Sequence, residues 1–151
     1  MRATHAILLV GIAGLVLALA TARVQTTQAS VQVRDGVVIH VSHGRDDPQR
    51  AVMALDMASA MSGDHDVILY FDLKGIDLTL KDAPDLNYSG STMSSKAELA
   101  ALREKGVPMM ACPGCLRAAG KNADDLAPGM RIADKNSFFS FTRGRILTLD
   151  Y

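Results

Sequence analysis

Gly36–Ser42 (GVVIHVS) is a β-branched apolar run that stops at His43-Gly44 and gives way at once to Asp46-Asp47-Pro48. The run is apolar on both faces, as a strand covered on two sides has to be. An Asp cap followed by proline starts a helix, because proline lacks only an N–H that the first turn leaves unpaired anyway. From Pro48 to Met61, the residues Val52, Leu55, Ala58 and Met61 recur at helical spacing, and Ser62-Gly63 ends the pattern. A buried strand feeding an amphipathic helix is the opening of an α/β sheet.

The rest of the chain repeats that alternation. Asp66–Leu73 (DVILYFDL) reads as a second strand, and Lys74–Ser94, rich in Asp, Gly, Pro and Ser, as the longest irregular loop. Ser95-Lys96-Ala97-Glu98 has capping-box spacing and opens a helix through Leu99, Leu102 and Lys105, closed by Gly106. Val107–Ala111 is a short third strand, and Leu116–Ala119 a short helix ending at Gly120. Asp124–Gly129 is a turn, Met130–Ala133 a brief strand, Asn136–Thr142 a helical turn, and Arg145–Asp150 the last strand. Short connections in this order predict an α/β fold: a single three-layer domain with a mostly parallel sheet of about five strands and helices on both faces. There is no internal repeat and no second domain.

The N-terminus is of another kind. Met1–His5 carries one Arg, and Ala6–Ala22 then runs 17 residues without a charge to a small-residue end. This pattern reads as a secretory signal over residues 1–22, with an uncleaved membrane anchor as its rival, since that length reaches the lower edge of a span. Residues 23–35 are polar and read as a linker, leaving 36–151 as the domain. Export places the protein in the periplasm, where cysteines are open to oxidation; a retained segment would tie it to the membrane. Sixteen Lys and Arg cancel sixteen Asp and Glu, which argues against a nucleic-acid partner. With no Trp and few other aromatics, the core has to be aliphatic and Met-built.

Two cysteines are too few for a disulfide scaffold, so their chemistry is the question. Cys112 follows the third strand and starts a helix, at the strand end where α/β sheets gather ligands. Unpaired N–H groups there favour a thiolate, the nucleophile of disulfide exchange and sulfur transfer. Cys115 lies one turn on, near enough for the sulfurs to meet. A lone cysteine is more often a small buried hydrophobe; the Cys112-Pro113-Gly114-Cys115 spacing after a strand favours function.

The pair leaves several chemistries open. A thioredoxin-like oxidoreductase fits the compartment but not the layout, because only 36 residues follow Cys115. Met110-Ala111-Cys112-Pro113-Gly114-Cys115 has the pattern of a Cu(I) carrier, whose soft ligands it supplies, yet Met109 and Met110 read as core. His43 and Arg45 sit on the loop after the first strand, at the same sheet end as Cys112, where a cation can hold an anionic sulfur donor; a solvated loop is the plainer reading. His40 reads as a core or helix-packing histidine, His65 as exposed, and Asp46 and Asp47 as caps. Gly44 stands alone, without a phosphate fingerprint. The reading calls for no cofactor and no resident metal.

Residues 36–151 resemble the DsrE/DsrF-like family of sulfur-relay proteins, which includes the TusD-type carriers. The likeness lies in VVIHVSHGRDDP, the helix QRAVMALDMASAM, the strand in DVILYFDLKGI, the segment GVPMMACPGCLRAAGKNADDLAPGMRI and the closing GRILTLDY. The resemblance implies a compact α/β domain assembled as a homo-oligomer, a trimer or hexamer. It implies further that Cys112 accepts sulfane sulfur as a persulfide and passes it to a partner protein, either donor or acceptor. Cys115 falls where many members have no cysteine, and could resolve the persulfide as a disulfide. The expectation is therefore an exported sulfur carrier or sulfurtransferase with Cys112 and Cys115 at its site. A thiol–disulfide oxidoreductase and a Cu(I) carrier are the alternatives.

Overall fold

The computed structural model describes residues 33–151. The segment read as a signal, and all but the end of the linker, lie outside them. Five strands form one sheet: β1 (Gly36–Val41), β2 (Asp66–Phe71), β3 (Met109–Ala111), β4 (Met130–Ile132) and β5 (Ile146–Asp150). Their order is β4-β3-β2-β1-β5, and every pairing is parallel. The helices are α1 (Pro48–Met61), α2 (Ser95–Glu104), α3 (Pro113–Ala118) and α4 (Lys135–Ser140). The chain thus winds outward from β1 to β4 and returns to pair β5 with β1. The α/β expectation holds, with an all-parallel sheet.

Alternation along the strands gives the sheet two unlike faces. Val37, Ile39 and Val41 of β1 and Val67, Leu69 and Phe71 of β2 lie on the first and are buried. They share one core with Ala51, Val52, Ala54, Leu55 and Ala58 of α1 and with Leu102 of α2. Asp47 caps α1 as expected, accepting from the Arg50 N–H at 3.1 Å. On the second face α4 lies over β2, and Phe138 meets Tyr70 edge-on at 5.1 Å. Here Val38, His40 and Tyr70 are only partly buried, although Ile68 and Met110 are wholly so.

Two local expectations are corrected. The cap of α2 is Ser94, which accepts from the Ala97 N–H at 3.4 Å, and not Ser95. Ser95 is fully buried and accepts from the Leu86 N–H at 2.9 Å, pinning the preceding loop, so its oxygen is already taken. Glu98 turns inward to accept from the Ser59 hydroxyl of α1. The stretch after β2 is also more regular than its composition suggests. Leu73–Thr79 is a 3-10 helix, and its Ile76, with Leu80, packs on Ala111, Leu116 and Leu126 in a second small core.

Candidate functional site

Cys112 ends β3 and caps α3. Its N–H donates to the Phe71 carbonyl at 2.8 Å, which keeps it tied to the sheet. Its Sγ accepts from the Cys115 N–H at 3.4 Å, as a capping oxygen would. Leu116, the one buried side chain of α3, roots the helix in the second core. Both cysteines are free thiols and partly exposed. Both cysteines therefore stand on the rim of the sheet.

The strand register brings further groups to the same rim. His40 is the partner of Tyr70 and of Asp150, and Tyr70 is the partner of Met110. Counting by twos, Asp72 follows Tyr70 and Cys112 follows Met110 on the same face, opposite the α1 and α2 core. Five chemical side chains thus share the side that α4 only partly roofs. The Tyr70 ring is clamped there. The His40 imidazole stacks on it with centroids 5.6 Å apart at 30°, and Phe138 meets it at 77°. The register sets Tyr70 beside Met110, two residues before Cys112, and its hydroxyl is the group that most favours the Cys112 thiolate.

His40 is itself held at both ring nitrogens. Nδ1 lies 2.7 Å from Asp150 Oδ1, and Nε2 lies 2.9 Å from Asp72 Oδ1. The second contact is an ion-pair distance off the hydrogen-bond axis, and neither atom has another hydrogen-bond partner among the described residues. Burial is the largest single influence on His40 and disfavours its charge. The two carboxylates outweigh it and hold the imidazole above the ordinary histidine value.

The thiols are set apart from each other. Burial, the largest influence on Cys112, pushes its thiol up. Hydrogen bonds from Tyr70, from the Cys115 and Gly114 N–H groups and from the Cys115 side chain overcome that and hold it below the ordinary thiol value. Cys115 accepts from the Leu73 N–H, which favours its thiolate, but burial and the neighbouring Cys112 and Asp72 raise it overall. Cys112 is therefore the first to ionise, and Cys115 remains a thiol beside it. Leu73 has a left-handed φ of 42° and stands exposed at the rim. Tyr70 is raised well above the ordinary phenol, by burial first and then by the cysteine sulfurs, so it stays a donor.

His43 and Arg45 lie on the loop between β1 and α1, as read. His43 Nδ1 is 2.7 Å from Asp46 and its Nε2 is 3.2 Å from the Arg50 guanidinium, while Arg45 pairs with Asp77 at 3.0 Å. Neither makes a hydrogen bond or ion pair with the cysteines. Met110 is fully buried. Among the described residues, no group of three or more His, Cys, Asp or Glu side chains is placed to hold a metal ion, and no helix is long and apolar enough to cross a membrane. A cavity of about 550 Å³ opens between the ends of β1 and β5, lined by Ser42, Asp47, Arg50, Met53, Asp150 and Tyr151, and holds neither thiol. Both thiols stand on the partly exposed rim of the sheet.

A profile of the DsrE/DsrF-like family matches residues 35–142. A solved protein of unknown function from Methanobacterium thermoautotrophicum, MTH1491, is 21% identical with a TM-score of 0.52, over 76% of this chain and 98% of its own. The ychN protein from E. coli is 16% identical at the same TM-score of 0.52, over 77% of this chain and 99% of its own. At these identities the two structures speak to the fold. No curated protein matches the sequence significantly.

Proposed function

The chain belongs to the DsrE/DsrF-like family, whose members work in sulfur relay with partner proteins, and on that premise we propose that it carries sulfane sulfur on Cys112. The supporting observation is the position of Cys112: it is partly exposed at the end of β3, holds hydrogen bonds from several donors and ionises before Cys115. The Cys112 thiolate attacks the outer sulfur of a donor persulfide, R–S–SH. The Sγ–S bond forms, the donor S–S bond breaks, and its electron pair leaves on R–S⁻. An acceptor thiolate then takes the outer sulfur in the same way and Sγ regains its electron pair, with no net oxidation in either step. Thiosulfate is a small donor of the same kind, with sulfite leaving. His43 and Arg45, on the loop at this sheet end, are the groups that meet such an anion.

Cys115 gives the site a second outcome. Its N–H donates to the Cys112 sulfur at 3.4 Å, which keeps the two residues together, and attack of its thiolate on Sγ of a Cys112 persulfide forms the disulfide and releases HS⁻. That contact also supports the thiol–disulfide oxidoreductase reading. Export to the periplasm, argued from the apolar segment 6–22, belongs to the same proposal. So does a homo-oligomer, for which the edge strand β5 with exposed Ile146 and Leu147 supplies a surface. Intact mass spectrometry after polysulfide or thiosulfate treatment tests the reading. A single added sulfur is expected on the wild type and on Cys115→Ser, and none on Cys112→Ser. No adduct on the reduced wild type would overturn the carrier role. A dithiol–disulfide cycle lost in both variants would establish the oxidoreductase instead.

A further inference from the structure

We propose that Tyr70 is a catalytic residue of this site, stabilising the Cys112 sulfur as it leaves, and that His40 is the positioning residue behind it. The inference rests on the sulfur-carrier reading and adds a group to its chemistry. When an acceptor thiolate attacks the outer sulfur of Cys112–S–SH, the Sγ–S bond breaks and its electron pair settles on Sγ. A leaving thiolate departs faster the better it is stabilised. The register sets Tyr70 beside Met110, two residues before Cys112 on the same face, and its hydroxyl is the group that most favours negative charge on that sulfur. In the loading step the same hydroxyl favours the attacking thiolate.

The arrangement around Tyr70 fixes the place of its ring. The ring is stacked on His40 at 5.6 Å and braced edge-on by Phe138 at 5.1 Å, so it cannot swing off the sulfur without disturbing both. His40 is fixed in turn by Asp150 from β5 and by Asp72 from the end of β2. Asp72, which acts on both Cys115 and Tyr70, would oppose a thiolate beside it, and a protonated imidazole paired with it offsets that charge. The charged or titratable groups at the Cys112 sulfur and its supports are thus Tyr70, Cys115, Asp72, His40 and Asp150. A histidine serving only to fill space between strand and helix needs neither carboxylate. Hydrogen bonds to a charged group contribute more than neutral ones, and a half-exposed thiolate keeps part of that.

The test is the pH profile of Cys112 alkylation by iodoacetamide in Cys115→Ser protein, read beside sulfur transfer from the loaded protein to a small thiol. Tyr70→Phe keeps the ring and removes the donor. We expect its alkylation profile to move to higher pH, with a rate about tenfold lower at pH 7 and a similar plateau at high pH, and sulfur release to slow by a comparable factor. His40→Asn should give a smaller shift in the same direction, and none when added to Tyr70→Phe, because it acts through that ring. Should His40→Asn not fold, Asp150→Asn replaces it, since that side chain is 69% exposed. A Tyr70→Phe profile that overlays the parent overturns the catalytic role, and additive shifts overturn the positioning role. Alkylation requires no sulfur loading, so a protein that takes up no sulfur yet shows these shifts would refute the carrier reading and leave Tyr70 as the activator of a thiol used otherwise.

Discussion

Leu116 joins the fold to the thiol pair, and Leu116→Ala measures how firmly. α3 is six residues long, far too short to stand alone in water, where helices need about 12–15 residues even with favourable sequences. Its one buried side chain is Leu116, 1% exposed, packed among Ile76, Leu80, Ala111 and Leu126. Truncating a buried leucine to alanine costs about 2–5 kcal/mol, the upper part arising where the cavity cannot close. Ala111 is locked in β3, whereas Ile76, Leu80 and Leu126 lie outside the five strands, Leu80 and Leu126 joined only by a single antiparallel bridge, so the cavity closes in part. The expected loss is therefore about 3 kcal/mol, a large share of the 5–15 kcal/mol of a typical domain. Urea unfolding followed by far-UV circular dichroism reads it as a lower midpoint at unchanged slope. Mass spectrometry under native conditions reads the second consequence: Cys112 loses its alkylation advantage over Cys115, because the N–H groups that favour its thiolate loosen with α3. A loss under about 1 kcal/mol with thiol selectivity intact would show that α3 is held by something other than Leu116.

Three further outcomes follow from the rim. Gly75→Ala would place a Cβ 2.0 Å from the Val41 carbonyl oxygen and 2.9 Å from its carbon; backbone cannot yield as a side chain does, so a loss of about 2 kcal/mol or more is expected in urea titrations, and a neutral result would mean the 3-10 helix lifts freely off β1. Leu73→Gly removes a left-handed φ of 42° and an exposed side chain; relief of strain and added chain entropy are each about 1 kcal/mol and oppose one another, so its unfolding free energy should stay within about 0.5 kcal/mol of the parent. His40 lies above its ordinary value of 6.5 in the folded protein. Its carboxylate pairing therefore stabilises the fold fully below that pH and is lost as pH rises through the folded-state value. The stability gap between wild type and His40→Asn should shrink from pH 6 to pH 9, and a gap that widens would refute the pairing.

Much of this was legible in the chain, and the exceptions are informative. GVVIHVS followed by Asp47-Pro48 marks β1 and α1, and the run ending at Ala111 places Cys112 on the rim, because period and capping are local properties. Ser94 rather than Ser95 caps α2 because a hydroxyl can serve a neighbouring loop as well as its own helix, and the Leu86 N–H that claims Ser95 is distant in sequence. Leu73–Thr79 hid its regularity for a similar reason: its Ile76 is buried by partners that sequence does not place beside it. Tyr70, Asp72 and Asp150 were missed at the site, and His40 was read as packing. The signal that could have found them was strand parity. His40, Tyr70, Asp72 and Cys112 each fall on the steps between those of the buried Val37, Ile39, Val41, Val67, Leu69, Phe71, Met109 and Ala111, steps they share with Ile68 and Met110. Only the parallel register, with His40 opposite both Tyr70 and Asp150, turns four separate parities into one face.

That division has a mechanical reading. The sheet behaves as a partition: one surface is bolted to helices of 14 and 10 residues, and the other carries the polar groups beneath a helix of six. Exchange of the proposed sulfur cargo along the covered surface would require no rearrangement of the bolted one. A carrier of the proposed kind would gain from it a foundation that stays still through many transfers.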